Sequence, residues 1–149
     1  MNIPFTTFKA RRLLPIVAAG ALLLSGAVAG AADLKVSVQN LASKGGTVYL
    51  ALYDSAGAFP QPGKNIAGQF MPVGDGIVTA SFLNLKPGRY AISVFHDENG
   101  NGKLDTNLLG VPTERVGFSR DAKGSFGPPK FDAAAIDVSV NTSIVITLH

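Results

Sequence analysis

Six stretches of the chain carry apolar residues in strand-like patterns, separated by segments rich in Gly, Pro and Asn. Leu34-Lys35-Val36-Ser37-Val38-Gln39 alternates strictly, which is the pattern of a half-buried strand. Gly45-Gly46 makes a turn, and Thr47 to Tyr53 then runs almost continuously apolar until Asp54-Ser55, as expected of a central strand. Gly76 to Phe82 and Tyr90 to Phe95 follow, joined through Pro87-Gly88, a pair suited to a turn with positive φ at the glycine. Ala135 to Val140 and Ser143 to Leu148 end the chain, joined at Asn141-Thr142. Three stretches are too interrupted for regular structure. Residues 56–72 read as a long crossover loop whose Phe59, Ile66 and Phe70 tuck under the sheet. Residues 109–119 are broken by Gly and Pro, and residues 120–129 are irregular, with Phe126 and Phe131 as anchors. No helical period of any length is visible after residue 31. The pattern predicts one all-β domain, an antiparallel sandwich of about seven short strands, with no repeat and no linker.

Composition changes this picture at the N-terminus. Lys9, Arg11 and Arg12 precede an apolar run from Leu13 to Leu24, and small residues then satisfy an A-x-A rule at Ala27-Val28-Ala29 and at Ala29-Gly30-Ala31. This is the grammar of a secretory signal peptide, and the run is short for a membrane span. Residues 1–31 are therefore expected to be removed, leaving a domain of residues 32–149 in the periplasm or outside the cell, with no membrane anchor. The mass of native protein, measured intact, is expected to lack about 31 residues; a mass that retains Met1 overturns this. The net charge of +3 comes from 13 basic and 10 acidic residues, and three of the basic ones lie in that leader. The rest is balanced, which removes the electrostatic case for nucleic acid as a partner. The absence of cysteine excludes disulfides and thiol catalysis.

The candidate chemistry is concentrated after the fourth apolar segment, in His96-Asp97-Glu98-Asn99-Gly100-Asn101-Gly102-Lys103-Leu104-Asp105. Oxygen side chains recur at alternate positions and a glycine follows, most of the D-x-[DN]-x-[DN]-G calcium loop. A chain curling around a hard cation presents every second side chain inward. Asp97, Asn99, Asn101, the Lys103 carbonyl and Asp105 would then supply the oxygens. The position that closes an EF-hand with a bidentate glutamate is Leu108, so Ca2+ would be held weakly. Asp97→Ala and Asp105→Ala are each expected to remove a calcium response while barely changing calcium-free stability. The same residues also spell a metal-free turn, because Asn and Gly accept positive φ. Glu114 is a candidate for the missing carboxylate, or else it caps a turn or pairs with a basic residue. His96 is either a histidine at the rim of the core that orients the loop, or a base. A base needs a nucleophile, and only Ser119 and Ser125 are on offer, neither in a nucleophile elbow. Classical zinc sites need more His or Cys than the chain has. Gly117-Phe118-Ser119 and Pro128-Pro129-Lys130-Phe131 either line a groove or plug the end of the sandwich.

Taken together, LKPGRYAISVFHDENGNGKLDTNLLGVPTERVGFS and the later GPPKFDAAAIDV resemble the DUF2141 family of small exported bacterial proteins. The shared features are the Pro-Gly-x-Tyr strand, the H-D-x-N-x-N-G-x-x-D loop, Gly-x-Pro-x-Glu, Gly-Phe-Ser and Pro-x-Phe. The resemblance implies a secreted sandwich of prealbumin-like or collagen-adhesin B type, and no activity. Two functions follow as expectations. The first is a non-enzymatic binding or structural module that contacts an exported protein, a glycan or a surface component. The alternative is a small metal-dependent hydrolase using His96, Asp97 and Glu114.

Overall fold

A computed structural model describes residues 30–74 and 76–149; the leader expected over residues 1–31 lies outside them but for its last two residues. Eight strands are formed among the described residues: β1 (Ala32–Gln39), β2 (Thr47–Tyr53), β3 (Ala67–Pro72), β4 (Val78–Leu85), β5 (Gly88–Asp97), β6 (Val116–Phe118), β7 (Ile136–Val138) and β8 (Thr142–Thr147). They make two sheets. One has the order β4-β1-β8 and the other β3-β2-β5-β6, with β7 also paired to β5. The protein is all-β; among the described residues it has one turn of α-helix, α1 (Phe131–Ala134), and one 3-10 turn at Ser119–Asp121, where the sequence predicted none.

The strict alternation of β1 works as expected. Leu34, Val36 and Val38 are fully buried between the sheets and meet Val48, Leu50 and Leu52 of β2 and Ile92 and Val94 of β5 in one core. Pairing departs from expectation in one place: β1 and β8 run parallel, from Leu34 opposite Thr142 to Gln39 opposite Thr147. A parallel neighbour cannot be joined by a hairpin, so β8 arrives at β1 only after the chain has built the other sheet.

Residues 56–72 are not a continuous loop. Ala67–Pro72 pairs with residues 47–52 of β2, and Phe70 and Ile66 point to solvent, 71% and 50% exposed. Of the three residues expected to tuck inward, only Phe59 does. It anchors a second cluster on the outer face of the larger sheet, with its ring edge-on to Tyr53, Phe118 and Phe131 at 5.3, 5.9 and 6.0 Å. Phe131 is an anchor, as expected, whereas Phe126 is fully exposed. An aromatic on a Gly-rich segment is held inward only if the backbone returns to the sheet there, and residues 124–128 do not.

One edge of β5 is shared by two short strands, with β6 opposite Ser93–Phe95 and β7 opposite Gly88–Tyr90. The change of partner strands one β5 amide, and buried Ser119 resolves it. Its hydroxyl accepts from Ile92 N at 2.9 Å and donates to Ala134 O at 2.5 Å. A buried donor must be paired, so Ser119 is a structural serine and not a nucleophile in waiting. The sheets are also tied at their edges, by Val116 to His149 backbone bonds at 3.2 and 2.9 Å and by Gln69 Nε2 donating to Ser81 O at 2.9 Å.

The oxygen-rich loop and its supports

Strand β5 is longer than its apolar pattern, because His96 and Asp97 belong to it and pair with Val48 and Thr47. Alternation places His96 on the core face with Tyr90, Ile92 and Val94. It is fully buried. Nδ1 accepts from Ala42 N at 3.2 Å, so the proton is on Nε2, which donates to Gly45 O at 2.7 Å. Thus His96 fixes the turn between β1 and β2 rather than the loop that follows it.

Asp97 is the hub of that loop. Although it faces away from the core, the chain curls back over it and buries it completely. Oδ1 accepts from Gly100 N at 2.7 Å and Asn101 N at 3.2 Å, and Oδ2 accepts from Gly102 N at 2.7 Å. Asn99 Oδ1 accepts from Asn101 N at 3.0 Å, and Asn101 Oδ1 from Lys103 N at 2.8 Å. These successive Asx turns curl the loop, and Gly100 and Gly102 take the positive φ it requires, 75° and 76°. The side chains of Asn99, Asn101 and Asp105 converge. Asn99 Nδ2 donates to the Asp105 carboxylate at 2.6 Å and Asn101 Nδ2 to both its oxygens at 3.0 Å.

Glu114 reaches back to the same loop. Buried at 8% exposure, it accepts from Glu98 N through Oε1 and from Asp105 N through Oε2, both at 3.1 Å. One carboxylate thereby clamps the first and last turns of the loop together. Residues 106–112 form a small projecting hairpin closed by a Thr106–Pro112 bridge. Asn107 Oδ1 holds its tip by accepting from Leu109 N and Val111 N, and Leu108 is fully exposed there.

For Asp97, these contacts argue against the expectation that its removal barely changes calcium-free stability, because three backbone amides depend on it. Asp105 differs: it is half-buried and its carboxylate partners are exposed side-chain amides. Among the described residues no group of three or more His, Cys, Asp or Glu side chains is placed to hold a metal ion. Any cation at the loop must therefore draw on the Asn oxygens and a backbone carbonyl beside Asp97 and Asp105.

A feature not anticipated as a whole is a groove of about 1,180 Å³ beside the loop, on the outer face of the larger sheet. Phe118 and Pro128, two of the residues expected at either a groove or a plug, line it, and Phe118 packs on the Phe59 cluster as well. Its floor and walls come from residues far apart in sequence that strand pairing brings side by side.

No curated protein and no solved structure matches this chain. A family model does match: that of an uncharacterized protein conserved in bacteria, DUF2141, over residues 36–145. That span takes in most of both sheets, the oxygen-rich loop, its Glu114 clamp and the whole of the groove, and the chain belongs to the DUF2141 family.

Proposed function

We propose that the protein is an exported, non-enzymatic binding or structural module. In this reading it is a β-sandwich of prealbumin-like or collagen-adhesin B type that contacts an exported protein, a glycan or a surface component, and the Asp97–Asp105 loop binds calcium weakly. One observation carries the choice against a hydrolase. His96, Asp97 and Glu114, the residues a hydrolase would need, are buried and each is spent on backbone groups. A general base must reach the proton it abstracts, and neither His96 nitrogen is free to do so. The donor set suits a hard cation. Asp105 and the one acceptor site that three amides leave on Asp97 supply two charges, the Asn amides supply neutral oxygens, and their N–H groups are now turned to Asp105. Binding must rotate both amides and displace those bonds, which keeps affinity in the weak extracellular range of about 10⁻⁴ to 10⁻³ M.

The test is thermal denaturation with and without calcium. A ligand that binds only the folded state stabilises it by RT ln(1 + [L]/Kd), about 2.7 kcal/mol when calcium is at roughly 100 times a Kd of about 10⁻⁴ M. The expected rise in Tm is about 10 °C. Magnesium is expected to do much less, since it demands a tight octahedron. Asp105→Ala is expected to remove the response at nearly unchanged calcium-free Tm. No shift in the wild type, with calorimetry silent, would reduce the loop to a turn.

A further inference from the structure

Beside the loop, strand pairing writes two rows across the outer face of the larger sheet. Phe70, Tyr49, Phe95 and Val116 lie in register on β3, β2, β5 and β6, and the next row is Gly68, Ala51, Ser93 and Phe118. The first row is a ridge: Tyr49 and Phe95 stack with centroids 4.9 Å apart and planes 6° apart, with Phe70 at 6.3 Å from Tyr49. The second row is a trough, because its first three residues are small. The row spans four strands, roughly 14 Å at about 4.8 Å spacing, of which the small-residue floor takes roughly 10 Å before Phe118 closes it, the reach of a short to medium alkyl chain. Leu104, Leu109 and Val111 rise over the loop end and Phe126 and Pro128 over the other side, and Leu109, Val111, Phe70 and Phe126 are exposed. Clustered apolar exposure of this kind marks an interaction site.

Charge selects among occupants. Among the described residues, Lys103 is the one cationic side chain that lines the groove and no acidic side chain lines it.

We propose that the groove binds a single-chain anionic amphiphile, a medium-chain carboxylate free in solution, with its alkyl chain along the Gly68-Ala51-Ser93 trough and its head group at Lys103. This deepens the binding-module reading and rests on it, but not on calcium. It is tested by isothermal titration of full-length mature protein with monomeric laurate in buffer containing a chelator, so that failure here leaves the calcium response standing as a separate result. One-to-one binding of laurate is expected, at least tenfold tighter than dodecyltrimethylammonium, with Lys103→Glu reversing that preference. Ala51→Trp fills the trough from an outward position on β2 and is expected to abolish binding; because Ala51 packs against the Tyr53 and Phe59 cluster, a retained cooperative melt is its control for folding. Gly68→Leu is the second block; the site is on an edge strand, and an added Cβ meets Asn65 Nδ2 at 3.4 Å and nothing closer. The proposal is overturned by no laurate binding, by equal affinity for the two head groups, by binding that survives both blocks, or by a dimer in sedimentation that laurate does not dissociate.

Discussion

Asp97→Ala is expected to cost about 3 kcal/mol of calcium-free stability and to lower the Tm by roughly 10 °C or more. The carboxylate accepts three backbone N–H bonds from within five residues of itself, and bonds to a charged acceptor contribute roughly 1.5–3 kcal/mol each. The sum is not reached, because Gly100, Asn101 and Gly102 are exposed and their amides regain water when the loop opens. Asp97→Asn separates shape from charge. It keeps an acceptor for Gly100 and Asn101 but turns an N–H₂ toward the Gly102 N–H, so a loss of about half that size is expected. Urea denaturation in chelator reads both. If Asp97→Ala melts within a degree or two of the wild type, water satisfies the loop as well as the carboxylate does, and the loop is not a folded unit.

The loop was the most legible part of the site, for a local reason. Asx turns and positive-φ glycines are written in consecutive residues, so Asp97, Asn99, Asn101 and Gly102 announce the curl by themselves. Its clamp is not local. Glu114 lies 16 residues beyond Glu98, and nothing in Pro112-Thr113-Glu114 says which way the side chain turns. The strands divide in the same way. β1 buries one face and so carries a period, and β2 shows a continuous apolar run, whereas β3 is a half-buried edge strand interrupted by Gly, Gln and Pro, and β6 is three residues around Gly117. That glycine is fixed by tertiary packing, since a Cβ there would meet Ile146 and Leu148 side-chain atoms at 2.9 Å. The groove was least legible of all. Gly68, Ala51 and Ser93 mean nothing in sequence until three strands align them, and Phe70 and Phe126 were read inward because apolar residues usually are.

His96→Ala carries the other large expected effect, a loss of about 3 kcal/mol, again on the order of 10 °C in Tm. Two contributions add. The imidazole is fully buried, so its removal leaves a cavity that the β-sheet core closes only in part. It also frees Ala42 N and Gly45 O, though both belong to exposed residues and recover part of their bonding from water. The turn they hold matters to the loop, because Gly46 at φ 86° brings its backbone against Asp97 O, where any Cβ would collide. His96→Gln carries an amide oxygen and an N–H₂ that can take the same two partners, and is expected to lose only about 1 kcal/mol. That contrast separates a positioning residue from a base. A structural His96 gives a large alanine effect, a small glutamine effect and intact ligand binding in the glutamine variant. A base gives no such ordering in activity, since neither replacement can move a proton. Should His96→Gln abolish a measurable turnover while its Tm stays near the wild type, the hydrolase reading of His96, Asp97 and Glu114 would displace the binding module.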